Sequence, residues 1–136
     1  MHVSNPFSFL RRVLLADAVS AGAMGLALLA FAPQLAAVLE LPPALLRESG
    51  MILVPFAAFV GYLASREHPS RAGVWTVIVI NAVWTIDSIA LLLTDWVAPN
   101  ALGKAFVVAQ ALFVGVLAEL QYIGLRKASV SPQAAG

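Results

Sequence analysis

Residues 13–32 read VLLADAVSAGAMGLALLAFA, twenty positions with one charged side chain, Asp17. About twenty apolar residues are needed to cross a bilayer as a helix. Three further segments, 45–65, 74–94 and 101–125, share this character, and the four hold 20 to 25 residues each. None alternates apolar and polar residues with period two, which excludes a transmembrane β-barrel. The fold class expected is all-α: a four-helix transmembrane bundle with up-down topology. Residues 1–127 form a single four-span membrane domain in this reading, and 128–136 a disordered tail.

Composition supports a lipid solvent. Of 136 residues, 61% are hydrophobic and 11% are charged. A soluble domain carries about 25% charged residues. The net charge of +1 argues against nucleic acid as a partner. There is no cysteine, so disulfides, thiolate nucleophiles and Cys-ligated metals are excluded together. The two histidines, His2 and His68, fall in polar ends and connections. Neither a bis-His haem nor a His-based metal site fits within the bilayer on that count. No Walker loop, GxSxG elbow, HExxH or Rossmann fingerprint occurs. The expectation is a non-enzyme without cofactor or metal.

Positive charge sorts by side. Arg11, Arg12, Arg66, Arg71, Arg126 and Lys127 fall on one side of the predicted spans, and Arg47 and Lys104 on the other. That bias puts the first side, with both termini, in the cytoplasm. The location expected is the plasma membrane, the inner membrane of a bacterium. A cleavable leader over 13–32 is the weaker reading. The apolar stretch is long for one, contains Asp17 and runs into Pro33.

The connection 33–44 is mostly apolar, and Gln34–Leu41 reads as a short interfacial helix or a bent extension of the first span. Pro55 predicts a kink in the second span. Small residues four apart, Ala18 with Gly22, Ala57 with Gly61 and Ala111 with Gly115, predict close helix approach. Such faces serve packing within one chain or contact with another copy.

An ionisable group in hydrocarbon is costly and reads as a candidate functional site. Asp17, Asp87 and Glu119 are three such groups. Measured from Arg12 and Arg126, Asp17 and Glu119 lie about 7 Å and 10 Å inside the same edge. The expectation is that they meet as a pair, with Ser20 and Thr76 beside them in an inward-facing polar cavity. Tyr62 and Tyr122 reach the same level, but an interfacial anchor is the stronger reading for both. The alternative for the acids is structural pairing with Arg11 or Arg12 and with Arg126. Asn81, Thr85 and Ser88 share one face of the third span, and with Asp87 and Gln110 they form a second, outer group. Lys104 is the candidate counter-ion of Asp87.

The binding residues expected are therefore Asp17, Ser20, Asn81, Asp87, Gln110, Glu119 and Tyr122. The functional expectation is transport or binding of a proton or small solute through these carboxylates. The alternatives are a non-transporting accessory protein, in which the acids are interhelical pairs, and a lipid-binding protein. Expected partners are the lipid bilayer and a second copy or another membrane protein.

Overall fold

The computed structural model describes residues 5–130; residues 1–4 and 131–136, which include His2 and most of the predicted tail, lie outside the description. The described chain is all-α. It contains α1 (Ser8–Leu39), α2 (Pro43–Ser65), α3 (Arg71–Leu92) and α4 (Ala101–Val130). Each is long and apolar enough to cross a membrane.

The helices outrun the apolar segments that announced them. α1 starts five residues before position 13, and α4 continues past position 125 to Val130. Residues 128–130 are thus helical, and Ala128 is buried. Polar contacts hold these extensions. Arg11 Nε donates to the Ala64 carbonyl at 3.1 Å, and Arg71 donates to Ser129 Oγ. Ser70 Oγ accepts from Gly73 N–H at 3.2 Å and caps α3. Pro43 occupies the first turn of α2, where a missing N–H is harmless.

The 33–44 connection is the bent extension. α1 runs on to Leu39, interrupted only by non-helical dihedrals at Phe31 (φ −123°, ψ 23°). Pro33 explains the break, since its ring removes an N–H and crowds the Leu29 carbonyl. Glu40 then takes a left-handed conformation (φ 54°) and ends the helix. α2, by contrast, passes through Pro55 as one helix.

The helices form two antiparallel hairpins. α1 packs along α2, α3 along α4, and α1 against α4, whereas α2 and α3 barely meet. The predicted small-residue faces sit inside the chain. A Cβ on Gly22 would stand 3.6 Å from Ala57 Cβ, and one on Gly61 3.7 Å from Ala18 Cβ. Between α1 and α2 the contact is closest at Gly50, where a Cβ would approach the Gly25 carbonyl oxygen to 2.8 Å.

Two apolar clusters cap the bundle. At the end that holds the start of α1 and the end of α4, Leu10, Leu14, Val60, Leu63, Val77 and Leu125 are buried together. We call this the terminal end. At the far end, Leu28, Ala32, Leu39, Leu41, Leu46 and Val107 form the second cluster. α3 contributes buried side chains to the first cluster only. Towards the far end, α2 and α3 therefore diverge.

Asn100 ties the far end together. Its Oδ1 accepts from Gly103 N–H at 2.7 Å, capping α4, while its Nδ2 donates to the Val38 carbonyl at 2.8 Å. Its own N–H donates to the Leu39 carbonyl at 3.3 Å.

The Gly50 contact gives a test. Gly50→Val pushes a side chain into facing backbone and lowers stability by about 1–3 kcal/mol. Gly115→Ala, whose Cβ would lie 3.4 Å from Thr85 Cγ2, leaves the thermal midpoint in detergent nearly unchanged. Equal midpoints for the two variants would contradict this packing.

Candidate functional site

Three helices converge on one carboxylate. Asp17 on α1 stands nine residues from Ser8, Asn81 on α3 ten from Arg71, and Gln121 on α4 nine from Val130. Each is therefore about 14 Å from the terminal end of its helix. All three are buried, at 2%, 3% and 0% exposure.

They form a closed hydrogen-bonded ring. Asn81 Nδ2 donates to Asp17 Oδ2 at 2.8 Å and to Gln121 Oε1 at 3.0 Å. Gln121 Nε2 donates to the same Asp17 Oδ2 at 2.7 Å. Bonds from an amide N–H to an ionised carboxylate are stronger than those to a neutral acceptor. The other carboxylate oxygen, Oδ1, accepts no hydrogen bond from the described residues. No sealed side-chain polar atom among them lacks a partner. Oδ1 therefore opens onto the cavity that Asp17 lines.

That cavity has a volume of about 670 Å³. Asp17, Ser20 and Asn81 form its floor, and it rises between the diverging α2 and α3 to Leu41, Leu45 and Trp96 at the far end. Ile52, Leu53 and Phe56 from α2 and Ile80 and Leu91 from α3 make apolar walls. A second polar cluster lies on the α3–α4 side. Trp84 Nε1 donates to Gln110 Oε1 at 2.9 Å, and Gln110 Nε2 donates to Ser88 Oγ at 3.0 Å. Thr85 Oγ1 donates within α3 to the Asn81 carbonyl and across to the Ala111 carbonyl.

The predicted site residues divide. Asp17, Ser20, Asn81, Asp87 and Gln110 all line this one cavity. Ser20 Oγ donates to the Asp17 backbone carbonyl at 3.1 Å. Asp87 is exposed at the cavity edge, and its candidate counter-ion Lys104 is exposed and lines no part of the cavity. Glu119 and Tyr122 stand outside.

The expected Asp17–Glu119 pair is corrected. Glu119 is exposed, and Gln121 takes the place opposite Asp17. On α4 the buried stripe runs through Val107, Ala111, Leu117, Gln121, Leu125 and Ala128. Glu119 lies two residues, about 200°, off Gln121 and so faces away. Tyr122 belongs to a separate cluster, its ring edge-on to Trp75 at 5.7 Å and beneath the Arg126 guanidinium at 5.8 Å. Tyr62 and Thr76 are likewise exposed and outside the cavity.

The separation of Asp17 from Asn81 into inner and outer groups is also corrected. Depth counted from Arg12 starts too late, because α1 begins at Ser8. Gln121 was missed because the reading followed charge. Its place four residues from both Leu117 and Leu125, on the apolar stripe, was the available signal.

Comparison with protein-family models, with curated proteins and with solved structures found no match.

A double-mutant cycle tests the ring. Asn81→Ala and Gln121→Ala each destabilise the bundle, and their effects are coupled by roughly 1 kcal/mol. Glu119→Gln changes stability by less than about 0.5 kcal/mol. Additive ring variants, or a costly Glu119→Gln, would overturn this assignment.

Proposed function

We propose that the chain is an integral protein of the plasma (bacterial inner) membrane with both termini in the cytoplasm. It binds a small polar or cationic solute through Asp17 and Asn81. The observation that carries this reading is Asp17 itself. One of its oxygens is held by two amides, and the other is left for a guest at the floor of a cavity of about 670 Å³. Such a residue is costly among apolar helices and is kept for a reason. Carriage of the solute or a proton across the bilayer is the role the site serves best. Asp87, Ser88 and Gln110 line the same cavity and give its wall polar contacts. Glu119 has no part in it.

The orientation rests on charge. The terminal end carries Arg11, Arg12, Arg66, Arg71, Arg126 and Lys127, and the far end Arg47 and Lys104. Short loops with excess Lys and Arg stay in the cytoplasm.

A second reading has one observation in its favour. The ring joins α1, α3 and α4, so Asp17 also serves as an interhelical tie. An accessory protein that packs against a partner membrane protein needs no more than that.

Flux into liposomes separates the two. With a panel of amines and neutral polar solutes, with and without a pH gradient, the wild type and Glu119→Gln transport at similar rates. Asp17→Asn loses roughly tenfold or more, the value of one charge-assisted hydrogen bond. Unaltered flux in Asp17→Asn, or no flux with any solute, favours the accessory reading. Reporter fusions test the orientation: a reporter active only in the cytoplasm works at both termini, and one active only outside works when inserted after Asp95.

A further inference from the structure

The free polar atoms on the cavity floor are all acceptors. Asp17 Oδ1 takes no hydrogen bond from the described residues, and Asp17 is 2% exposed. Both hydrogens of Asn81 Nδ2 are used, one on Asp17 and one on Gln121. Its Oδ1 accepts nothing from the described residues and is left as a second acceptor. Ser20 Oγ spends its hydrogen on the Asp17 carbonyl and keeps lone pairs. A guest that satisfies this floor must bring donors and no acceptor. Among common head groups a primary ammonium does so, with three N–H donors.

Charge and shape agree. The lining holds two carboxylates, Asp17 and Asp87, and no Lys, Arg or His. Arg47 and Lys104, the cations of the far end, are exposed and do not line it. Above the floor the walls are apolar, with Ile52, Phe56, Ile80 and Leu91 facing the space. Along α3 the cavity extends from Asn81 to Leu91, about 15 Å. It opens where α2 and α3 fail to pack.

We infer that the guest is a primary alkyl amine. Its ammonium donates to Asp17 Oδ1, Asn81 Oδ1 and Ser20 Oγ, and its chain lies between α2 and α3. This rests on the reading of the cavity as a solute site and adds the class of solute.

The test uses the full chain in nanodiscs of zwitterionic lipid, with Trp75→Phe and Trp96→Phe so that Trp84, in the cavity wall, is the sole tryptophan. The probes are dodecylamine, dodecyltrimethylammonium and dodecanol with bromine on the fourth carbon, which quench tryptophan on contact; Trp84 stands three residues, about 4.5 Å, above Asn81 on α3. Saturable quenching by the amine is expected, at a Kd roughly tenfold or more below those of the other two. Unbrominated butylamine at the same free concentration fails to displace it. Asp17→Asn abolishes the preference for the amine.

Equal binding of trimethylammonium overturns the donor match, and equal binding of dodecanol overturns the cationic head. Displacement by butylamine overturns the alkyl chain. Each of these leaves the solute-binding reading standing. Absence of saturable quenching by every probe overturns the amine, while the liposome flux of other solutes decides the broader reading separately. The comparison of head groups leaves Asp17, Ser20 and Asn81 on the floor unaltered, and Trp96→Phe keeps an aromatic ring at the far end of the lining.

Discussion

A carboxylate placed among apolar helices must find hydrogen-bond donors, and Asp17 finds them on two other helices. Asn81 from α3 and Gln121 from α4 both donate to its Oδ2. The direct bond between the two amides closes the ring. This contact sets the vertical register of three helices at once, because a slip by one turn would carry a donor about 5.4 Å from its acceptor. Burial makes the constraint stringent. A polar group without a partner is costly wherever water is excluded.

The ring leaves out α2, which is placed by a different force. Ala18, Gly22 and Gly25 on α1 lie against Gly61, Ala57 and Gly50 on α2. Small side chains let backbones approach, and helices solvated by lipid associate chiefly through such packing. α2 thus follows α1, and α3 follows Asp17 and α4. Nothing comparable draws α2 to α3 beyond the apolar cluster of the terminal end. The cavity occupies the space between one hairpin held by shape and another held by hydrogen bonds.

Hydropathy announced all four helices, since segments of this length and apolar content have few other structures open to them. It placed their ends poorly. Arg11 and Ser129 are polar, yet both belong to helices because their side chains bond to neighbouring segments. The glycine and alanine pairs were legible as close contacts because a small side chain lets two backbones approach. The site was only partly legible. Asp17, Ser20, Asn81, Asp87 and Gln110 stood out as polar residues in apolar runs, and they share a cavity. The partner of Asp17 did not stand out. A formal charge at Glu119 drew notice from an uncharged amide two residues away, and facing direction, which decides contact, follows the 3.6-residue period rather than charge.

The break at Phe31 divides α1 into two levers. The lower lever carries Asp17 and is keyed to the ring. The upper lever carries Ala32, Ala36 and Leu39 into the far-end cluster, and Asn100 fastens its tip to the start of α4. The cavity wall takes Asp17, Ser20, Met24 and Leu28 from the lower lever and no residue from the upper one, and its rim comes from Leu41, Leu45 and Trp96. The rim side chains therefore stand on segments other than the helix that carries the carboxylate. The width of the mouth and the chemistry of the floor are thus written in separate stretches of the sequence, each open to substitution by itself.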